Sequence, residues 1–136
     1  MNDKTFADTN VLVYLFDRDA PAKQRRAREI LASLRDSLVI STQVLQEFYV
    51  SVTRKLQTPL PAADAEAAVH DLAALDVVVV DVSIINGAMA LTRQHGLSFW
   101  DALIVEAAQT RGCTRLLSED LHRGRVFGKL RIEDPF

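Results

Sequence analysis

Four acidic residues that lie far apart in the sequence have the positions expected of a metal-binding site: Asp8, Glu47, Asp101 and Asp120. Asp8 and Asp120 each follow a predicted strand, whereas Glu47 and Asp101 lie on predicted helices that begin at the same end of those strands. In an open parallel sheet, ligands bind beyond the carboxyl ends of the strands. We therefore expect the four carboxylates to converge at one edge of the sheet.

The residue types predict which metal such a site would bind. Magnesium prefers hard oxygen ligands and usually retains several of its waters. The three histidines, His70, His95 and His122, lie outside the four acidic segments, and oxygen ligands without histidine or cysteine favour Mg²⁺ or Mn²⁺ over zinc. Neighbouring carboxylates repel each other, which raises some of their pKa values when no cation is present. The cluster is therefore expected to favour its metal-bound state.

Three of the four acids also have structural explanations that the sequence alone leaves open. Aspartate is a favoured N-cap residue, so Asp8 could cap the helix that follows it. Glu47 falls outside the apolar stripe of its helix and could be a solvated side chain. Asp120 could cap a short helical turn, with Glu119 beside it as a surface charge. Only the joint placement of the acids favours the functional interpretation.

Asp101 is the most informative of the four. It shares one helical face with three apolar side chains, Ile104, Val105 and Ala108. The segment 100–108 is almost entirely apolar and is expected to be deeply buried, where a carboxylate is costly unless it is paired or bound to a metal. The alternative is a capping box with Ser98, although aspartate is not the acid that this motif prefers.

Strands and helices are predicted to alternate along the whole chain. The predicted strands span residues 4–7, 37–40, 77–80, 114–117 and 129–132. The predicted helices span residues 11–16, 22–34, 44–56, 61–75, 82–95 and 98–111. The four consecutive valines at 77–80 are typical of a strand buried on both faces. This alternation, without a linker, predicts an α/β fold in which helices flank a mostly parallel sheet of about five strands.

Composition and charge limit the class of protein. The 136 residues are 49% hydrophobic and 25% charged, which predicts one globular domain spanning residues 1–136. No signal peptide is evident, and no apolar run approaches the roughly 20 residues that a membrane span needs. The lone cysteine, Cys113, cannot form an internal disulfide, which predicts a cytoplasmic setting. The net charge of −2 leaves nucleic acid open as a partner, because the four acids account for −4 and leave +2 on the rest.

Four sequence blocks carry a family likeness. They are FADTNVLVYLFD (residues 6–17), STQVLQEF (41–48), SFWDALIVEAA (98–108) and LLSEDL (116–121). In this order and at these spacings they resemble the PIN domain and, more narrowly, the VapC toxins of bacterial type II toxin–antitoxin pairs. The resemblance runs from Phe6 to the closing DPF, so it covers nearly the whole chain.

This resemblance implies a PIN-like three-layer fold and a Mg²⁺- or Mn²⁺-dependent endoribonuclease. Matched residue by residue, the family's catalytic acids are Asp8, Glu47, Asp101 and Asp120, so that Glu119 is not the last of them. The polar positions that usually support the cluster are Thr9, Asn10 and Ser118. The resemblance also implies a homodimer and a VapB-like antitoxin that inserts a segment to block the site.

The implied reaction is hydrolysis of an RNA phosphodiester bond by a metal-activated water. Asp8 and Asp101 are expected to bind the metal directly, while Glu47 and Asp120 act through water or orient the nucleophile. An RNA substrate also needs cationic contacts along its backbone. Two candidates for these contacts closely follow the last acid: Arg123 and Arg125.

Three other functions remain open at this point. An RNA-processing PIN nuclease outside any toxin–antitoxin pair would share the same site. A phosphoaspartate enzyme or a receiver-like domain would also place an aspartate after its first strand, but the haloacid-type pattern needs a second aspartate where this chain has Asn10. A non-catalytic binding module would keep the fold and fail to bind a divalent metal.

Overall fold

A six-stranded sheet forms the centre of the protein in the computed structural model, which describes residues 3–136. The strands are β1 (Thr5–Ala7), β2 (Leu38–Ser41), β3 (Asp76–Val78), β4 (Arg115–Leu117), β5 (Val126–Phe127) and β6 (Leu130–Glu133). Their spatial order is β3-β2-β1-β4-β6-β5, and every neighbouring pair is parallel except β5 and β6. The mostly parallel central sheet predicted from the sequence is confirmed.

The sheet has six strands rather than the expected five, because the sequence gives no sign of β5. This strand has only two residues and pairs with β6 in antiparallel fashion, with Phe127 opposite Leu130. Gly128 turns the chain between them at φ 57°, a left-handed conformation that favours glycine. A two-residue strand is too short to show the alternation of apolar and polar residues by which strands are recognised.

Helices flank this sheet in the predicted three-layer arrangement. They are α1 (Thr9–Val13), α2 (Pro21–Leu34), α3 (Thr42–Val50), α4 (Ala62–Leu72), α5 (Val82–His95) and α6 (Phe99–Thr110). A 3₁₀ turn (Tyr14–Phe16) continues α1, and a π-helical turn (Ser51–Lys55) continues α3. Each predicted helix is therefore present, although the two turns divide segments that were expected to be uniform.

Strand β3 differs from its prediction in both length and position. The run of valines predicts a strand buried on both faces, but β3 ends at Val78 and lies at the edge of the sheet. Val79 is 65% exposed, and the N–H of Val80 donates to the hydroxyl of Thr42 at 3.1 Å rather than to a strand. Consecutive valines favour an extended backbone, but edge position depends on which strands pair beside them.

The two central strands β1 and β4 anchor the edge of the sheet that carries the acids. Phe6 and Leu116 are fully buried and lie opposite each other in the parallel register of these strands. Burying a side chain of this size contributes about 1.5–3 kcal/mol. The N–H of Asp8 continues the pairing by donating to the carbonyl of Leu117 at 3.0 Å. The packed strands therefore fix where Asp8 lies relative to the segment after β4.

Cys113 is buried and unbonded, and burial raises the pKa of its thiol to about 11. Such a thiol is structural rather than reactive. Among the helices of residues 3–136, none is long and apolar enough to cross a bilayer.

Candidate metal centre

A cleft of about 290 Å³ beyond the ends of β1 and β4 brings together all four predicted acids, Asp8, Glu47, Asp101 and Asp120. Two of the predicted supporting residues, Thr9 and Asn10, also line this acidic cleft. The third, Ser118, is fully buried and donates a hydrogen bond to the carboxylate of Asp8. The acids come from four different elements, so their convergence depends on the sheet order rather than on any local motif.

Asp8 both caps a helix and belongs to the charged cluster. It is the N-cap of α1, and its Oδ1 accepts a hydrogen bond from the N–H of Thr9 at 2.7 Å. Its Oδ2 accepts from the hydroxyl of Ser118 at 2.9 Å. Burial raises the pKa of Asp8 to about 6, and the charges of Glu47 and Asp120 add to the rise. The two hydrogen bonds lower this pKa, but their effect is smaller than that of burial. The capping explanation of Asp8 is therefore confirmed, and it does not exclude a role for the same carboxylate in binding a metal, which stays a prediction.

Glu47 is held in place by neutral donors rather than left in solvent. The hydroxyl of Thr9 donates to its Oε1 at 2.7 Å, and the amide of Gln43, one helical turn earlier, donates to its Oε2 at 3.3 Å. Gln43 also donates to the carbonyl of Trp100 at 3.2 Å, which ties α3 to the start of α6. The solvated-side-chain interpretation of Glu47 does not describe these contacts.

Asp101 lies in the first turn of α6, where Ser98 caps the helix. The hydroxyl of Ser98 accepts from the backbone N–H of Asp101 at 3.1 Å. Ser98 thus uses the backbone of Asp101, while the carboxylate of Asp101 lines the acidic cleft. The expectation that the helix is deeply buried from residue 100 onward is wrong, because Trp100 is 63% exposed; the buried run begins at Ala102.

The turn that follows β4 places Asp120 by means of Ser118. The hydroxyl of Ser118 accepts from the N–H groups of Asp120 and Leu121 at 3.2 and 3.1 Å, so Ser118 caps the turn. Asp120 instead accepts through its Oδ2 from the amide of Asn10 at 2.7 Å. Burial raises the pKa of Asp120, and the charges of Glu119 and Asp101 raise it further. Its carboxylate is thus part of the same electrostatic cluster.

The family follows from a comparison with family models. The model described as the PIN domain matches residues 5–126. The chain belongs to the PIN-domain family. A comparison of the sequence with curated proteins found no match, so the family model carries the assignment.

Solved structures share the fold of this PIN domain over nearly its full length. A toxin–antitoxin complex from Klebsiella pneumoniae aligns with a TM-score of 0.74 and 19% identity, covering 98% of each chain. VapC20 of Mycobacterium tuberculosis, a toxin that cleaves the sarcin–ricin loop, aligns with a TM-score of 0.70 and 21% identity over 86% of this chain and 90% of that one. DNA-bound VapBC from Salmonella typhimurium aligns with a TM-score of 0.70 and 20% identity, covering 99% and 100%.

The donor atoms of the acidic cleft fit a magnesium or manganese ion that keeps part of its water shell. Within residues 3–136, no three side chains of histidine, cysteine, aspartate or glutamate are close enough together to hold an ion unaided. The part of the chain that the structure describes contributes no histidine or cysteine to the lining of the acidic cleft, so the possible metal donors there are the oxygens of carboxylates, amides and hydroxyls, the donor type that Mg²⁺ and Mn²⁺ prefer. Gln43 is 6% exposed, and its Oε1 has no hydrogen-bond partner among the described residues. This acceptor suits a water bound to the ion.

Sequence reasoning gave no site role to five other residues of the acidic cleft: Gln43, Ser51, Lys55, Trp100 and Ile104. Ser51 and Lys55 belong to the π-helical turn, in which the N–H of Leu56 donates to the carbonyl of Ser51, five residues earlier, at 3.2 Å. Turns of this kind are frequent at functional sites. No residue pattern in the sequence predicts this π-helical turn. Trp100 lies in the segment 100–108, which the sequence predicts to be buried.

The two arginines predicted to bind RNA lie elsewhere. Arg125 donates to the carbonyl of His95 at 3.0 Å, at the end of α5, and its guanidinium lies 4.9 Å from the centre of the Phe127 ring. Arg123 is exposed and borders a separate depression that also includes Arg131. The structure brings neither arginine into the acidic cleft, so a role in RNA binding stays a prediction for both.

Proposed function

We propose that this PIN domain is a Mg²⁺- or Mn²⁺-dependent endoribonuclease and the toxin of a VapBC-type pair. The observation that carries the proposal is the convergence of Asp8, Glu47, Asp101 and Asp120 in one cleft. The pKa of Asp8, raised by burial and by its acidic neighbours to about 6, supports a site in which a cation offsets the negative charge. Perturbed carboxylates in a cleft are typical of functional sites.

The residues of the acidic cleft would have different roles in the hydrolysis. A divalent cation, when bound, would supply an activated water and would stabilise the oxygen that departs from phosphorus. Asp8 and Asp101 would hold the cation directly. Glu47, fixed by Thr9 and Gln43, would orient the attacking water. The water oxygen would bond to phosphorus while the bond from phosphorus to the 3′ oxygen breaks, and one proton of the water would end on that 3′ oxygen.

Asp120 and the free acceptor of Gln43 would complete the surroundings of the ion. Asn10 holds one oxygen of Asp120 and leaves the other available to a metal-bound water. Gln43 holds Glu47 through its amide nitrogen, while its Oε1 remains available as an acceptor. Both contacts suit an ion that keeps several waters. Ser118 and Thr9 act by positioning the carboxylates.

The proposed partners are an RNA substrate, a VapB-like antitoxin and a second copy of the chain in a homodimer, in the cytoplasm. The Klebsiella structure is a toxin–antitoxin complex, and those from Salmonella and from Rickettsia felis are VapBC bound to DNA. These likenesses support an antitoxin that covers the acidic cleft until it is removed. Co-purification of the chain with the product of a neighbouring small gene would test the pairing.

The experiment that tests the proposed activity is cleavage of total RNA by the purified protein with Mn²⁺ or Mg²⁺. Wild type should give discrete fragments, whereas Asp101→Asn should give none while keeping its fold. Asp71→Asn, at an exposed position of α4 outside the acidic cleft, is the matched control and should cleave like wild type. A folded wild-type protein that neither binds divalent metal nor cleaves RNA would overturn the proposal.

A further inference from the structure

Trp100 and Lys55 line the acidic cleft but have no role in holding a metal ion. Trp100 is 63% exposed although it directly precedes Asp101. Lys55 is exposed at the end of the π-helical turn. A large exposed indole and an exposed ammonium group at the same cleft require an explanation beyond the packing of the fold.

The backbone of Trp100 is fixed even though its ring is exposed. Its carbonyl accepts from the amide of Gln43 at 3.2 Å. Its ring meets that of Phe99 edge-on, with centroids 5.4 Å apart and planes at 69°. Because Gln43 also holds Glu47, the backbone of Trp100 is tied to one of the acids proposed to be catalytic. Trp100 therefore presents an exposed aromatic surface beside the proposed metal centre, with its backbone held by Gln43 and its ring in contact with Phe99.

Lys55 is the one cationic side chain among the residues that line the acidic cleft. Within residues 3–136 it forms no ion pair with a carboxylate. Its charge is therefore available to an external anion. The four acids would repel such an anion without a metal, so a lysine at the border of the cleft can hold a phosphate beside the reactive one.

We infer that Trp100 and Lys55 form a nucleotide-binding site for single-stranded RNA, in which a base stacks on the indole and the ammonium group contacts the adjoining backbone phosphate. The inference rests on the proposed RNA-cleaving function and adds to it the two residues that contact the strand beside the acids. Unpaired bases stack readily on aromatic side chains, whereas bases inside a duplex are unavailable. Trp100 and Lys55 are thus binding residues, distinct from the catalytic acids.

Trp100 is the only tryptophan of the chain, so intrinsic fluorescence reports on this position alone. The probe is an unstructured ten-nucleotide RNA titrated into wild type in Mg²⁺, with its integrity checked on a gel after the titration. A repeat in Asp101→Asn removes cleavage from the measurement. We expect saturable quenching of the emission, at the same RNA concentrations that raise the anisotropy of a labelled copy of the strand.

Variants of Trp100 and Lys55 separate the contribution of base stacking to RNA affinity from the contribution of the lysine charge. Trp100→Ala should bind the labelled RNA on the order of 10-fold more weakly, and should raise KM more than it lowers kcat, whereas Trp100→Phe should bind within a few-fold of wild type. Lys55→Ala should weaken binding and reduce the slope of log affinity against log salt by about 0.7. Lys129→Ala, an exposed lysine outside the acidic cleft, should leave both quantities nearly unchanged.

Three outcomes would overturn the inference. One is RNA binding without any change in tryptophan emission, and another is unchanged affinity in a folded Trp100→Ala variant. The third is an emission change that follows protein concentration without RNA, which would place a second copy of the chain over Trp100. Failure of the proposed function is distinguishable, because RNA that quenches Trp100 and is never cleaved would contradict the nuclease and leave the binding site in place.

Discussion

The hydroxyl of Ser118 donates to the Oδ2 of Asp8 across 110 residues of sequence, at 2.9 Å. The hydroxyl oxygen of Ser118 also accepts from the N–H groups of Asp120 and Leu121. One buried hydroxyl therefore joins the first acid of the cleft to the turn that carries the last one. The arrangement of the acids depends on this residue although Ser118 itself does not line the acidic cleft.

Replacing Ser118 with alanine should destabilise the protein and raise the pKa of Asp8 above its value in wild type. The change removes the donor to a buried carboxylate and the acceptor of two backbone N–H groups, which typically costs about 1–3 kcal/mol. Urea unfolding measures the stability, and an NMR titration of the Asp8 carboxyl measures the pKa. Ser33→Ala, at an exposed site of α2, is the control. Equal stability and equal pKa would contradict the positioning role.

Asp8→Asn should make the metal-free protein more stable at neutral pH. Because the pKa of Asp8 is raised by burial to about 6 from 3.8, ionisation disfavours the folded state above pH 6 and has no such effect below pH 4. The full penalty in wild type corresponds to about 3 kcal/mol. Asparagine removes the charge and keeps an acceptor for the N–H of Thr9.

Chemical denaturation in EDTA at several pH values between 4 and 7.5 checks this prediction. The advantage of Asp8→Asn over wild type should grow between pH 4 and pH 6 and then level off. Asp64→Asn, at an exposed site of α4, should show no such growth. An advantage that does not change with pH, or a loss of stability at pH 7.5, would count against the burial of an ionised Asp8.

Divalent metal should stabilise wild type in a saturable manner. A ligand at 100 times its Kd raises the free energy of unfolding by about 2.7 kcal/mol, which corresponds to a rise of several degrees in Tm. Thermal scans with increasing Mn²⁺ measure the effect. Asp101→Asn should lose most of it because one direct ligand is gone. An equal rise in both proteins would show that the ion binds elsewhere.

Glu119 should influence Asp120 through its charge. Lys23 forms an ion pair with Glu119, and the hydroxyl of Tyr14 donates to it at 2.5 Å. Burial raises the pKa of Glu119, but the hydrogen bonds from Lys23 and Tyr14 outweigh it and lower the pKa overall. Glu119 therefore stays ionised beside Asp120 and helps to raise the pKa of that acid.

Glu119→Gln should accordingly lower the pKa of Asp120 and cost less than about 1 kcal/mol, since partly exposed ion pairs contribute little. An NMR titration of the Asp120 carboxyl in EDTA measures the shift, with Glu29→Gln on α2 as the control. If the pKa of Asp120 in Glu119→Gln equals its wild-type value, the charge of Glu119 has no effect on the pKa of Asp120, which would contradict this prediction.

The sequence was sufficient to place the four acids because their position follows from topology. Asp8 and Asp120 follow strands that prove to be parallel neighbours, β1 and β4, and side chains at the carboxyl ends of such strands meet whatever the details of packing. The same reasoning identified the helices that carry Glu47 and Asp101. The positions of the four acids could therefore be predicted from the alternation of strands and helices alone.

Features that depend on tertiary contacts could not be predicted in this way. The exposure of Trp100 results from its place in the first turn of α6, ahead of the buried part of the helix, which no helical periodicity reveals. The π-helical turn that places Lys55 at the acidic cleft has no known sequence signal. Arg125 follows Asp120 closely in sequence, yet its guanidinium contacts the end of α5, because the β5–β6 hairpin lies against that helix end.

Removal and return of the metal during RNA cleavage tests the central claim most directly. One preparation of wild type would be assayed on total RNA with Mn²⁺, after EDTA, and after excess Mn²⁺ is restored, beside Asp101→Asn under the same conditions. We predict fragments that disappear with EDTA, return with Mn²⁺ at the same cleavage positions, and never form with Asp101→Asn. Fragments that persist in EDTA, or that Asp101→Asn produces as fast as wild type, would contradict a metal-dependent nuclease built on these four acids.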